Sequence, residues 1–344
     1  MKISRKHFLT AAAAAVLSAF GLSANAADVT LRMHQFLPAQ ANVPKHVLDV
    51  WAANVEKDSG GRIAVQHYPA MQLGGKPPEL IDQVIDGVAD VVWTVSGYTP
   101  GRFRQTEVFE LPFMMSEAGA TSRAYWQLAE ERMMDKDFKD FKVLALWVHG
   151  PGLIHSKEPI STIEDLNGVK LRAPTRVTNK LFTNLGATPV GMPVPAVPEA
   201  LSKGVIDATV IPWEVTGALK VPELVKNHTT FGDASLYTTT FIFAMNKDVY
   251  EALPDDLKAV IDKNSGEEFS VFAGTQMQAD DEPSRIIAVE LGNNIINLQS
   301  DMVAKWREAS QSTTDWWIQE MDDEGMDGTG LYQRAQELIK AHTK

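Results

Sequence analysis

The sequence predicts an α/β protein made of two lobes that share a cleft. Three observations predict it. Short β-branched runs alternate with helical stretches from residue 29 onward. A unit of helix end, Gly-x-x-Asp turn and strand occurs twice, at 85–92 and again at 202–209. Bulky aromatics and one arginine stand at strand ends in both halves of the chain.

The N-terminus sets the compartment. Lys2, Arg5 and Lys6 precede an apolar run over 8–22, and Ala24-Asn25-Ala26 offers the small residues a signal peptidase reads, so a cleaved export signal over 1–26 is expected. The run is shorter than the roughly 20 residues a membrane helix needs. Ser4-Arg5-Lys6-His7-Phe8-Leu9 has Lys where a twin-arginine signal has its second Arg, which favours the general secretory route. Cleavage leaves 318 of the 344 residues, enough for two ordinary domains. It also removes three cations, taking the net charge from −12 to −15. So acidic a surface repels nucleic acid and anionic lipid, and an anionic ligand needs a local positive site. With no cysteine, stability rests on a packed core, for which the 44% hydrophobic content is ample.

The elements follow from periodicity. A strand is expected over 29–36, then a helix over 43–57 carrying Val47, Leu48, Trp51 and Val55 at helical spacing and stopped by Ser59-Gly60-Gly61. After a strand over 63–68, Pro77-Pro78-Glu79 opens a helix over 80–86, since proline suits a first turn, and an apolar strand occupies 91–93. A second series gives strands over 143–148 and 169–172, a helix over 178–185 ended by Gly186, a helix over 197–203 and a strand over 208–211. A long β-branched and aromatic strand spans 237–245. Beyond Pro254 the pattern is helical, over 255–273, 286–291, 302–321 and 331–341, with Trp306, Trp316 and Trp317 as packing residues. Such alternation builds mostly parallel sheets covered on both faces.

Enzyme signatures are scarce. There is no Gly-x-Ser-x-Gly elbow, no His-Glu-x-x-His helix and no phosphate-binding loop, so neither a catalytic residue nor a cofactor is assigned. His149 and His155 lack a third metal ligand nearby, and no metal is expected. What remains is a set of strand ends, where α/β sheets bind their ligands. Phe36 and Trp93 end strands, His149 follows one, Tyr237 opens one, and Ile211-Pro212-Trp213-Glu214 ends another. Arg172, followed by Ala173-Pro174, offers the planar fork that matches a carboxylate. A structural salt bridge at the strand end is the equal alternative. Glu214 reads as a first-turn acid or as a group facing a ligand cation or metal.

These residues carry a resemblance. Asp165-Leu166-Asn167-Gly168-Val169-Lys170-Leu171-Arg172-Ala173-Pro174 is similar to the Asp-Leu-x-Gly-x-Lys-x-Arg-x-Pro hallmark of TRAP-transporter (tripartite ATP-independent periplasmic) solute receptors, the C4-dicarboxylate-binding type. Met71-Gln72-Leu73-Gly74-Gly75, Pro100-Gly101-Arg102-Phe103, Glu110-Leu111-Pro112-Phe113 and Asn246-Lys247 before Leu253-Pro254 extend it over nearly the whole chain.

The resemblance implies a periplasmic binding-protein-like fold, two α/β lobes joined by crossing strands and a long helix. Lobe I is expected over 27–150 plus about 237–275, lobe II over 151–236 plus about 276–310, and C-terminal helices over 311–344 pack on both. It implies a periplasmic, non-catalytic monomer that hands a small carboxylate to two membrane subunits driven by an ion gradient. Arg172 maps onto the arginine that pairs with the ligand carboxylate; Phe36, Trp93, the Gly150 neighbourhood and Trp213 map onto walls.

Departures narrow the ligand. Sialic-acid-binding relatives carry an arginine near Ser156-Lys157-Glu158 and Asn at the positions of Phe36 and Ile211; none of these is present. The expectation is a monocarboxylate with an apolar or aromatic body, such as a 2-oxo or 2-hydroxy acid whose second oxygen meets His149 or Tyr237. A C4-dicarboxylate receptor, a sensory binding protein and, further off, a keto-acid enzyme with His149 as base are the alternatives.

Overall fold

A computed structural model describes residues 27–343; the expected export signal lies outside the described residues. The strands are β1 (Val29–His34), β2 (Ile63–Tyr68), β3 (Val91–Val95), β4 (Lys142–Val148), β5 (Leu153–Ser156), β6 (Lys170–Ala173), β7 (Thr188–Gly191), β8 (Ala208–Ile211), β9 (Asn227–Thr230), β10 (Thr240–Met245) and β11 (Asn294–Asn297). They form two sheets, in the orders β2-β1-β3-β10-β4 and β11-β9-β5-β8-β6-β7. Each sheet belongs to one lobe.

The sheets are mixed rather than parallel throughout. In each, one strand runs against both of its neighbours: β10 between β3 and β4, and β5 between β9 and β8. These are the strands that enter a lobe from the other one. The chain leaves β4 through residues 149–152 to become β5, and leaves β9 through residues 231–239 to become β10. The two crossing segments touch: the Gly152 amide donates to the Tyr237 carbonyl at 3.0 Å, an isolated antiparallel bridge.

A third crossing lies at Asp280. Helix Glu267–Ala279 packs on helix Ala118–Arg132 and β4 of lobe I, whereas helix Asp281–Glu290 packs on the Trp213–Val215 turn of lobe II. Helix Ser300–Asp323 also bridges the halves, packing on helix Arg176–Asn184 of lobe II and on helix Gly328–His342, which lies against Ala118–Arg132.

Burial explains which strands are central. Every residue of β3 and β10 is buried, as both faces of an inner strand in a covered sheet require. In lobe I, Trp51 meets Phe243 edge-on with ring centroids 5.0 Å apart. In lobe II, Phe231 meets Trp306 in the same way at 5.2 Å. Helix Arg176–Asn184 starts where Thr175 and Thr178 cap each other, the Thr175 amide donating to Thr178 Oγ1 at 2.9 Å. Beyond its end, Gly186 takes φ +92°, and a Cβ there would overlap Asn167 Oδ1.

Several expectations are corrected. The strand expected from 237 begins at Thr240, because residues 237–239 belong to the crossing. The helix expected over 255–273 is two, Asp255–Lys263 and Glu267–Ala279, broken at Gly266 (φ +85°), whose amide donates to Leu144 in β4 at 2.6 Å. The strand expected to reach Phe36 ends at His34. Trp316 is only partly buried, with the Arg176 guanidinium 4.7 Å above its ring, while Trp306 and Trp317 are core. Helix Ala118–Arg132 and strands β5, β7, β9 and β11 add to the elements expected.

Candidate ligand-binding cleft

The strand ends of the two lobes line a common cavity. Its lobe I wall is an aromatic slab. Just past β1, Gln35 braces its own loop, its side chain donating to the Leu37 carbonyl at 2.9 Å and accepting from the Leu37 amide. That holds Phe36 against Trp93, with ring centroids 4.6 Å apart and planes 19° from parallel. Trp93 stacks in turn on Phe241 at 5.2 Å and on Trp147 at 6.2 Å. Such stacking fixes the wall as well as making it apolar.

Arg172 stands opposite, on β6. It is 2% exposed, and backbone carbonyls hold its guanidinium: Nε donates to Met192 at 2.9 Å and Nη1 to Val210 at 3.0 Å. These bonds orient the fork without neutralising it. Among the described residues, no carboxylate lies within 4.0 Å of Arg172. The structural salt bridge entertained from the sequence is therefore absent. A buried cation without a counter-ion is costly to maintain, and an incoming anion relieves that cost.

Tyrosines and His149 surround the arginine. Val194 of lobe II donates its amide to the Tyr98 hydroxyl of lobe I at 2.8 Å, a bond across the cleft. Burial raises the pKa values of both Tyr98 and Tyr237, and the Arg172 charge opposes the shift in each. Burial, the largest cause, lowers His149 to about 4, so its ring is neutral near pH 7. The Thr239 amide donates to Nε2 at 3.0 Å, so Nε2 accepts and Nδ1 carries the hydrogen that reaches the Gly150 carbonyl at 2.5 Å. Both ring nitrogens are engaged by the crossing segments.

Glu214 faces the same cavity from the turn after β8. Its backbone is pinned from both sides: the amide donates to Asp281 Oδ1 at 2.8 Å, and the carbonyl accepts from Asn42 of lobe I at 2.7 Å. Its side chain is not pinned. Oε2 is buried with no hydrogen-bond partner, and no basic nitrogen lies within 4.0 Å. Burial first, then the nearby Asp281 and Asp280 charges, raise its pKa well above the ordinary carboxylate range.

Of the residues expected at the site, Arg172, Trp93, Phe36, His149, Tyr237 and Glu214 line the cavity, and Trp213 does not. The Trp213 indole turns behind the sheet, 5.1 Å from the His155 ring and 4.9 Å from that of His228. Those histidines share a bond at 2.7 Å between their Nδ1 atoms and sit in the core of lobe II. Sequence reasoning missed Tyr98, Val95 and Phe241. Val95 was legible, lying two residues beyond Trp93 on the same face of β3. Among the described residues, no group of three or more His, Asp or Glu is placed to hold a metal ion, and no helix is long and apolar enough to cross a membrane.

Comparison with known proteins adds to this geometry. The family model for bacterial extracellular solute-binding proteins, family 7, matches residues 33–320. A TRAP solute-binding protein from Rhodoferax ferrireducens T118, solved with copurified benzoate, is 47% identical; the match covers 91% of this chain and 98% of that one, with a TM-score of 0.90. A marine metagenome TRAP solute-binding protein specific for aromatic acid ligands, solved with 3-hydroxybenzoate, is 48% identical over 93% of this chain and 100% of that one, again with a TM-score of 0.90. The C4-dicarboxylate-binding periplasmic protein DctP of Rhodobacter capsulatus is 24% identical over 74% of this chain and 76% of its own length.

Proposed function

The chain belongs to the bacterial extracellular solute-binding proteins of family 7, the receptor type of TRAP transporters, and on that premise we propose that its cleft closes on an aromatic monocarboxylate. It is a periplasmic receptor for a small carboxylate, and the membrane subunits of its transporter take the ligand from it. Acting as a monomer without catalysis completes the reading.

One observation carries the choice of ligand: Arg172 is buried without a counter-ion in a cavity whose other wall is the Phe36–Trp93–Phe241 stack. The guanidinium matches one carboxylate, and the slab matches a planar apolar body. Arg172 is the single Lys or Arg in the lining among the described residues, so a second carboxylate finds no cation there. That disfavours a C4-dicarboxylate. The ligands bound to the two relatives at 47% and 48% identity, benzoate and 3-hydroxybenzoate, support the same class. Tyr237 is the side chain left to meet a 2-oxo or 2-hydroxy oxygen, given the engaged ring of His149.

A thermal-shift screen tests this. Benzoate, 3-hydroxyphenylacetate, mandelate and phenylpyruvate are expected to raise Tm, with nanomolar to low micromolar Kd, about −8 to −12 kcal/mol. Stabilisation by succinate and malate alone would refute the reading.

A further inference from the structure

We propose that the Glu214 carboxyl is a subsite for a ring hydroxyl, so that the cleft selects hydroxy-substituted aromatic carboxylates over their unsubstituted parents. The inference rests on the aromatic monocarboxylate reading and names a second group on that ligand.

The first ground is an accounting of polar groups. Buried polar atoms in folded proteins are nearly all hydrogen-bonded, so an exception on a cavity wall calls for a partner outside the protein. Two residues of this cavity's lining carry such exceptions. Glu214 Oε2 lacks a partner on the lobe II side, and Trp93 Nε1 lacks one on the lobe I side. Of the other polar groups near the arginine, the His149 nitrogens are held by backbone and the Tyr98 hydroxyl accepts from Val194, which leaves the Tyr237 hydroxyl beside the carboxylate end of the ligand.

The second ground is that Glu214 has no structural work for its side chain. The main-chain bonds to Asp281, Asn42 and Ser284 fix the residue, and those bonds are available to any amino acid. An apolar side chain would fill the same space without the cost of burying a carboxyl. Glu214 lines the cavity, and its carboxyl is the part of the residue that the main-chain bonds leave unused.

The third ground is chemical match. Burial first, then the nearby Asp281 and Asp280, push the carboxyl's pKa well above the ordinary carboxylate range, which favours the neutral form. A neutral carboxyl donates through its O–H and accepts through its carbonyl oxygen, and a phenol hydroxyl does both as well. A ligand that pairs its carboxylate with Arg172 and carries a hydroxyl on the ring would satisfy both ends. A benzoate without the hydroxyl leaves Glu214 orphaned, and polar sites discriminate strongly against ligands that lack the matching group.

Calorimetric titration at pH 7 with benzoate, 3-hydroxybenzoate and 4-hydroxybenzoate tests the proposal, the readout being the ratio of Kd values, which a general weakening of binding does not move. The wild-type protein is expected to bind the better hydroxybenzoate about tenfold or more tightly than benzoate. Glu214→Gln, which keeps a neutral donor and acceptor, retains the preference; Glu214→Leu and Glu214→Ala, read together in case one does not fold, bring the ratio close to one. Equal binding of benzoate and the hydroxybenzoates by the wild-type protein overturns the proposal while leaving the aromatic reading intact. So does a preference that survives in the leucine or alanine variant, and loss of the preference in Glu214→Gln overturns the neutral form. A wild-type protein that binds none of the three acids removes the aromatic reading itself and this subsite with it.

Discussion

Gly152 and Tyr237 meet where the two crossing segments touch, and the contact does double duty. The Gly152 amide donates to the Tyr237 carbonyl at 3.0 Å, and a Cβ on Gly152 would overlap the Tyr237 ring, which also lines the cavity. The hinge and the ligand wall are thus one packed unit. Movement of either segment carries the Tyr237 ring with it.

Gly152→Ala follows from this contact. The added methyl displaces the ring or the segment, at an overpacking cost of about 1–3 kcal/mol. Benzoate affinity is expected to fall about tenfold or more, read by calorimetry. Unchanged affinity would show that the ring moves aside freely and that the hinge is not tied to the wall.

Arg172 separates binding from folding. Arg172→Met removes a buried charge that has no protein counter-ion, so the ligand-free Tm is expected to change little relative to the loss of binding. Benzoate affinity, by contrast, should drop by several kcal/mol, about a hundredfold or more, because the carboxylate is left unpaired. Thermal melts with and without benzoate measure both at once. A ligand-induced rise in Tm that persists in the variant would place the carboxylate elsewhere.

Glu107 ties the lobes together from outside the cleft. It accepts from Arg176 Nε at 3.1 Å, Arg176 Nη2 at 2.5 Å and Trp317 Nε1 at 2.9 Å, joining lobe I to the helix that opens at Arg176 and to the long bridging helix. Glu107→Ala orphans all three donors, which costs roughly 1.5–3 kcal/mol per charged bond before relaxation. Both Tm and benzoate affinity are expected to fall, the affinity through faster release, since the network is made across the closed lobes. Stopped-flow displacement reads that rate. An unchanged release rate with a lowered Tm would confine Glu107 to stability.

The sequence was most legible where a single rule acts alone. Strand ends pointed to Phe36, Arg172 and Glu214, because the end of a strand in an α/β sheet is a place before it is a direction; Trp93, expected to end its strand, lines the cavity from the middle of β3, which runs on to Val95. Trp213 failed for the complementary reason. Pro212 interrupts the alternation after β8, and the one-turn helix Trp213–Val215 rotates the indole behind the sheet while bringing Glu214 to the cavity. Tyr98 carries no periodic signal, since it lies in a short turn beyond β3 and reaches the site only through lobe closure onto Val194. Strands Asn227–Thr230 and Asn294–Asn297 each open on Asn and are only four residues long, too short for an alternation of apolar and polar residues to stand out. The crossings were equally hidden, because residues 237–239 look like strand and act as hinge.

Stability should have a mildly acidic optimum, set by two opposed groups of buried residues. His149 and His228 are lowered to about 4, and His155 further, all by burial first. The unfolded chain takes up these protons below its ordinary histidine value of 6.5 and the folded protein does not, so stability falls as pH drops from 6.5 toward 4. The acids act the other way. Burial raises Glu110 to about 7 and Asp281 to about 8, with Glu214 also raised, so the folded protein keeps protons that the unfolded chain sheds above 3.8 to 4.5. Stability therefore falls as pH rises from that range toward 8, and above 6.5 no histidine gain opposes the fall. The ligand-free Tm, scanned from about pH 4 to 9, is expected to peak between about 4.5 and 6.5 and to be lower at pH 8 than at pH 6. Glu214→Gln and Asp281→Asn, which need no proton to stay neutral, should flatten the alkaline limb. A wild-type Tm that climbs from pH 6 to pH 8 would mean that these carboxyls are ionised in the folded protein and paired with charges that the cleft does not hold.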